Sequence, residues 1–302
     1  MDKLGFPLRR PTAGWRDVSE YGTVSAKILD YPYFPDQFRH LRLDSGSAIA
    51  YDSVALESSD RLMRISHTNH DGVSAATLPH AIFDAIRQFD TCTIANAIER
   101  FRVRLRNVGF TRPGLRCVTG GSPRILGYAA TCRVRSADPP MSGNTYVDRT
   151  DWWETIGLLP VPRIAVFQDL DGIESGASTI GEVHAAILKA FQCEGIITDG
   201  AVRDVPEVSR MEFPMFASAI SVSHSYMHIV DFGAPVEIFG LPVRSGDLLY
   251  ADVHGVVSIP LEIAARIPEA ACEIRAKERQ IIDLCQSPEF SLEKLLQAVQ
   301  TK

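Results

Sequence analysis

The chain has 302 residues, 45% of them hydrophobic and 23% charged, a balance that allows a full core in a soluble globular protein. Its formal net charge of −6 argues against the basic face of a phosphate-backbone binder, so nucleic acid is not expected as a partner. No stretch approaches the roughly 18 apolar residues that span a bilayer and the amino terminus shows no apolar leader core, so no membrane contact and a cytoplasmic location are expected.

Residues 1–78 read as an irregular amino-terminal extension. Pro7, Pro11, Pro32 and Pro35 discourage regular ladders, while Trp15, Tyr31, Tyr33, Phe34 and Phe38 need a surface to cover, so this segment is expected to wrap the body or a neighbouring subunit as an arm. His67 and His70 have ligand spacing but lie in a polar run that reads as a loop.

The second unit, residues 79–302, is more regular. From Leu78 onward Ile82, Ala85, Ile86 and Phe89 recur at helical spacing, and Thr93 reads as the N-cap of a second helix over Ile94 to Phe101. Gly114 to Cys117 and Ile125 to Val134 read as strands. The Gly120-Gly121-Ser122-Pro123 break between them lacks the frame of a phosphate loop and reads as a plain turn. Asp151 to Glu154 begins a short helix or turn, and Arg163 to Phe167 is a buried-type strand ending at Gln168-Asp169. Asp169 and Asp171, single acids beside a Gly-rich loop, read first as turn formers, with a reach to a site left open.

A helix from Glu182 to Glu194 and an apolar strand from Gly195 to Thr198 complete a βαβ order. Met215 to Ser221 and Val236 to Phe239 read as strands. Between them lie His224 and His228, which would share a metal-binding face only on a helix and not in an extended loop. Gly246 to Pro260 reads as two strands meeting at a tight turn. A long amphipathic helix from Leu261 to about Leu284 follows, and Ser291 caps a last helix expected to serve packing or oligomer formation. The six cysteines form neither a zinc pattern nor a disulfide framework and are expected to be mostly buried free thiols.

Chemistry can be read from spacing in one place. The helix starting at Glu182 carries the chain away by roughly 20 Å and the next strand brings it back, so Glu182 should meet Asp204 at the carboxyl edge of the layer, with Arg203 and Glu207 beside them. Three carboxylates and an arginine suit a hard cation such as Mg²⁺ or Mn²⁺ with a bidentate clamp for an anionic substrate. The same residues are equally compatible with a surface ion pair and a first-turn acid favoured by the helix dipole.

Arg203-Asp204-x-x-Glu207, preceded by Gly181-Glu182, resembles the RraA-like family. The family comprises the metal-dependent 4-hydroxy-4-methyl-2-oxoglutarate / 4-carboxy-4-hydroxy-2-oxoadipate aldolases, class II pyruvate aldolases, and the RraA regulators of ribonuclease E. Thr91 to Ala97, Ile125 to Ala130, Asp199-Gly200, Gly246-Asp247 and Asp252 to Val257 stand as further landmarks in family order, and the resemblance covers roughly residues 80 to 283. It implies an α/β fold, an αββα sandwich of the swivelling-domain type, assembled as homotrimers or homohexamers with interfacial active sites. Asp204 would ligate the divalent metal, Mg²⁺ or Mn²⁺. Arg203 would bind the pyruvyl group and steady its enolate, and Glu182 would hold water on the metal or ligate it directly. The helix start at Gly181, with the amides of Val183 and His184, would receive the substrate carboxylate.

The implied function is a metal-dependent lyase acting on a small 2-oxo acid, by aldol cleavage of a 4-hydroxy-2-oxo acid, by oxaloacetate-type decarboxylation, or by both. Glu182 or Glu207 would orient the base for the aldol reaction. The alternative is a non-catalytic, protein-binding regulator. Glu182 replaces the aldolases' usual aspartate, while His184 and His254 replace an apolar residue and an acid, which implies a different distal pocket; retention of the first acid favours catalysis.

Overall fold

The protein is represented by a computed structural model that describes residues 77–140 and 149–300. The expected arm of residues 1–78, with His67 and His70, lies outside the described residues apart from its last two positions.

Eight strands form the main sheet in the order β1 (Arg116–Cys117), β7 (Met215–Ala217), β5 (Cys193–Thr198), β3 (Arg163–Asp169), β2 (Ile125–Arg135), β12 (Leu248–Asp252) and β13 (Gly255–Ile259), with β9 (His228–Phe232) pairing the far end of β2. The β2, β3, β5 and β7 neighbours run parallel, as the βαβ order requires, and β12–β13 is the expected hairpin. The segment before β1 nearly closes the sheet. Phe110 bridges to Val257 on β13 and Thr111 N donates to Val256 O at 2.9 Å, whereas β1, a few residues later, pairs with β7 at the opposite edge.

Strand periodicity sorts the core into layers. Along β2, Ile125 and Ala129 enter the interior of the curled sheet with Val166, Ile197, Phe216 and Leu249, under the hairpin of β10 (Val236–Ile238) and β11 (Leu241–Val243). Leu126 and Tyr128 face the other way and pack on α1 (His80–Ile86), α2 (Thr91–Glu99), α6 (Leu261–Ala264) and α7 (Ile267–Gln286). Ala130, Cys132 and Val134 pack beside Trp152 of α3 (Thr150–Leu158), Leu188 of α4 (Glu182–Ala190) and Val208 of α5 (Val205–Arg210). Helices therefore cover the outside of both walls, the expected αββα arrangement.

Several boundaries differ from the sequence reading. Asp90, not Thr93, caps α2: its side chain accepts from Thr93 N at 2.7 Å, and buried Asp252 takes the Thr91 amide and hydroxyl. Helix α4 ends at Ala190, not Glu194, because Gln192 turns left-handed at φ 58° and releases the chain into β5. The long carboxyl-terminal helix is two, since Pro268 clashes with a continuing helix and sits instead in the first turn of α7. Ser291 caps α8 (Leu292–Gln300) as expected, accepting from Lys294 N at 3.2 Å. The six cysteines are free, but only Cys132 and Cys193 are buried, while Cys92, Cys272 and Cys285 are exposed. Among the described residues, no helix is long and apolar enough to cross a membrane.

Candidate active site

A small parallel sheet of β4 (Ser178–Ile180), β6 (Ala201–Val202) and β8 (Ala219–Ile220) builds the site. The expected strand from Met215 to Ser221 divides at Ser218, whose hydroxyl bonds the carbonyls of Asp199 and Gly200 while the chain leaves β7 to pair with β6. At the carboxyl ends β4 runs into Gly181-Glu182 and β6 into Arg203-Asp204. The Arg203 amide bonds Ile180 O at 2.9 Å, so the two loops lie side by side at the edge where α/β layers bind ligands.

Asp204 occupies the left-handed region, φ 55° and ψ 34°, which aspartate tolerates better than most residues. It stands at the N-cap of α5 yet does not cap that helix. Its Oδ2 instead accepts from Glu182 N at 2.9 Å and lies 3.6 Å from Arg203 Nε, so Asp204 caps α4 across the site. Gly181, the formal N-cap of α4, has no side chain to offer, and a Cβ there would lie 2.4 Å from Asp204 Oδ2 and 2.9 Å from Arg203 Nε. The positive end of the α4 dipole favours the carboxylate in that position.

Glu182 and Val183 expose their side chains beside this contact. Glu207 lies on the first turn of α5 but pairs with Arg210 at 3.0 Å along its own helix. The His184 ring does not line an outer pocket: it is buried in the core edge-on to Phe167, and burial pulls its pKa down to about 4, so it is neutral. His254 holds Asp252 Oδ1 at 3.1 Å, while His224 and His228 sit in a loop and at the start of β9 with Nδ1 against the carbonyls of Ser225 and Tyr226. Neither histidine lies on a helix, so they share no helical metal-binding face; a turn at Ser225-Tyr226, closed by Met227 N donating to His224 O at 2.9 Å, links them instead of an extended loop.

Among the described residues, no group of three or more His, Cys, Asp or Glu converges as a closed metal site. What the corner supplies is an open set of hard donors. Asp204 Oδ1 and the Glu182 carboxylate carry no hydrogen bond or ion pair among the described residues, and Arg203 has its outer guanidinium nitrogens available. One or two carboxylates with waters and substrate oxygens is the manner in which Mg²⁺ commonly binds, and it does not suit a structural zinc. The glycine that lets Asp204 approach the helix start is the feature that makes this donor set fit.

Behind the corner lies a polar cluster of Asp169 and Asp171, read from sequence first as turn formers, and Asp199, read with Gly200 as a family landmark. Asp199 Oδ1 accepts from Asp169 N at 2.7 Å, and Asp169 Oδ1 accepts from Asp171 N at 3.0 Å. Burial raises both carboxyls, with a further push from a neighbouring acid, and Asp199 rises to about 6. A signal was present: β3 ends on Asp169 and Asp199 directly follows β5, and parallel pairing places those ends together.

A family model described as RraA-like, Aldolase/RraA, matches residues 91–258. Over 121 residues the chain is 27% identical to a Halalkalibacterium halodurans protein provisionally named a 4-hydroxy-4-methyl-2-oxoglutarate aldolase, covering 38% of this chain and 58% of that protein. Over 88 residues it is 34% identical to an uncharacterised Methanocaldococcus jannaschii protein, covering 29% of this chain and 42% of the relative. Each match therefore spans less than two thirds of the curated relative. Among solved structures, an uncharacterised protein from Pseudomonas syringae superposes with a TM-score of 0.58 at 22% identity, covering 77% of this chain and 99% of that one. RraAS2 of Streptomyces coelicolor, an unusual member of the RNase ES inhibitor RraA family, gives 0.53 at 18% identity, covering 67% and 96%. These structural likenesses speak for the fold alone.

Proposed function

The chain belongs to the RraA-like family, and from that membership we propose that it is a divalent-metal-dependent carbon–carbon lyase acting on a small 2-oxo acid through a pyruvate enolate. The observation that supports this reading is the Asp204 carboxylate anchored on the start of α4 beside Arg203, with Glu182 open next to it. A surface ion pair would need neither the left-handed Asp204 nor the bare Gly181 that admits it.

Mg²⁺ or Mn²⁺ bound at Asp204 and Glu182 would supply Lewis-acid polarisation of the keto and carboxylate oxygens. The chain's own residues do the rest. The first-turn amides of α4, at Val183 and His184, receive the substrate carboxylate. Arg203 directs its N–H groups to the keto oxygen, where negative charge develops as the electrons of the breaking carbon–carbon bond enter the enolate. In aldol cleavage a base must take the 4-hydroxyl proton. Glu182 is assigned the orientation of the water that takes it, since Glu207 is engaged by Arg210. Decarboxylation needs no such base, so both reactions fit the corner.

Val183 on the first turn of α4 and Ile220 on β8 are exposed large hydrophobic residues, as are Val222 and Tyr226 in the segment that follows β8. They support the reading that a second copy covers the corner in a homotrimer or homohexamer.

The test is pyruvate release from oxaloacetate and a panel of 4-hydroxy-2-oxo acids, with Mg²⁺ or Mn²⁺ and with EDTA. Turnover that needs metal and is lost in Asp204→Ala is expected. Metal-loaded protein inert on the panel, but binding a ribonuclease through a surface indifferent to Asp204→Ala, would establish the regulator instead.

A further inference from the structure

Helix α2 and β1 are joined by residues 100–115, a connection with no helix or strand of its own and longer than the roughly 12–15 residues beyond which such loops are usually functional. The loop is held firmly. Ser258 N donates to Gly109 O at 2.9 Å, Thr111 N to Val256 O at 2.9 Å, and Arg104 Nη1 to Ser258 O at 2.8 Å, with its guanidinium lying where a side chain on Gly109 would go. Between these anchors lies a turn from Leu105 to Val108, closed by Val108 N donating to Leu105 O at 3.4 Å. Its apolar side chains face solvent: Leu105 is 73% exposed, and Val103, Val108 and Phe110 are exposed as well.

The charge on this loop runs against that of the chain. Arg102, Arg104, Arg106 and Arg112 belong to it, and no Asp or Glu occurs from Arg100 to Ala137, in a chain of net charge −6. The exposed guanidinium groups of Arg102 and Arg112 carry no hydrogen bond or ion pair among the described residues. Arg106 lies 3.2 Å from Glu99 but is 81% exposed, and such a pair holds its partners weakly. An aliphatic tip flanked by arginines and free of acids matches a layer of anionic headgroups over hydrocarbon, where aliphatic groups enter the boundary and guanidinium groups reach back to phosphate. A single-stranded nucleic acid would also take the arginines, but it needs aromatic faces on which bases stack, and of the loop's exposed apolar residues only Phe110 is aromatic.

We propose that the Leu105–Val108 turn docks this protein on anionic lipid bilayers, with the aliphatic tip seated in the headgroup–acyl boundary and Arg102, Arg106 and Arg112 on lipid phosphates. The protein then lies on the membrane and spans nothing, so the lack of a long apolar run is no obstacle. Docking there does not cover the candidate site. Phe110 bridges to Val257, level with Tyr250 and with Leu126 near the start of β2, whereas Asp169 behind the corner pairs with Val134 near the other end of that strand. The two levels are roughly 26 Å apart at about 3.3 Å per residue. The docking is independent of the lyase reading.

Co-sedimentation of the full chain with lipid vesicles tests the proposal. Binding is expected to phosphatidylcholine vesicles carrying about 30% phosphatidylglycerol at roughly 0.1 M salt, with little binding to phosphatidylcholine alone. It should fall at least about tenfold at roughly 1 M salt, where the Debye length shrinks to about 3 Å. Leu105→Asp removes the most exposed aliphatic group and adds a repelled charge, so it should weaken binding at least about tenfold. Arg102→Glu with Arg112→Glu should abolish the binding, whereas Arg102→Lys with Arg112→Lys keeps the charge and should retain it. These are exposed positions, so each variant should melt within a few degrees of wild type. No sedimentation of wild type with the anionic vesicles, or undiminished sedimentation of Leu105→Asp or of the glutamate variant, overturns the proposal. So does a changed oligomeric state of Leu105→Asp in analytical ultracentrifugation, which would make the turn a contact between copies. Capture of single-stranded RNA without capture of vesicles overturns it as well.

Discussion

Gly181→Ala isolates the geometry on which the candidate site depends. The backbone at Gly181 has φ −133° and ψ −169°, an extended conformation open to alanine, so the substitution adds one methyl without backbone strain. That methyl would lie 2.4 Å from Asp204 Oδ2, where ordinary contact begins near 3.4 Å, so the carboxylate must retreat by about 1 Å. The retreat weakens the 2.9 Å bond to Glu182 N and moves both Asp204 and Arg203 relative to the start of α4. A misplacement of about 1 Å commonly costs on the order of 10²-fold in rate, or about 2.7 kcal/mol of barrier. Stability should change little, because losing a cap costs about 1 kcal/mol, while exchanging glycine for alanine recovers about 0.4–1 kcal/mol through the unfolded chain. The assay is pyruvate release under saturating Mn²⁺, with a melting curve as control. A fall of about 100-fold in kcat with a melting temperature moved by only a few degrees is expected. Wild-type kcat in Gly181→Ala would refute the reasoning.

Arg203→Lys keeps the charge but loses the bidentate fork, so kcat/KM should fall by about 10²–10³-fold while Mn²⁺ affinity stays near wild type; a fall in metal affinity alone would reassign Arg203. Asp199 has a folded pKa raised to about 6 from an ordinary value of 3.8, so its contribution to stability is fully present below 3.8 and is lost as pH rises through about 6. Melting temperatures across that window should therefore decline less steeply with rising pH in Asp199→Asn than in wild type, and parallel curves would count against the shift. Asp90→Ala removes the α2 cap and should cost about 1 kcal/mol in denaturant unfolding, with kcat unaffected.

The elements that sequence revealed were those with a period or a punctuation mark. The β12–β13 hairpin, the cap at Ser291 and the β3–α4–β5 order follow from alternation, capping and length, and the Arg203-Asp204 pair follows from its distance to Glu182. Strands β4, β6 and β8 have only three, two and two residues, too few to show a period of two, although they position the site. The left-handed backbone at Asp204 was invisible for another reason. Its cause is the fit of one carboxylate against a neighbouring helix, a contact between residues 22 positions apart. Likewise Asp169 looks like a turn acid locally, and only the parallel pairing of β3 with β5 sets its amide against the Asp199 carboxylate. His184 misled in the opposite sense, since its position on α4 turns a polar-looking residue into core.

Binding of oxalate, a planar dianion shaped like pyruvate enolate, tests most directly whether this corner is a metal-dependent enolate site. Calorimetric titration of wild type should show oxalate binding with Mn²⁺ present and none with EDTA, with the Mn²⁺-dependent binding lost in Asp204→Ala and weakened at least about tenfold in Arg203→Lys. Oxalate binding that is indifferent to Mn²⁺, or that survives Asp204→Ala undiminished, would contradict the account.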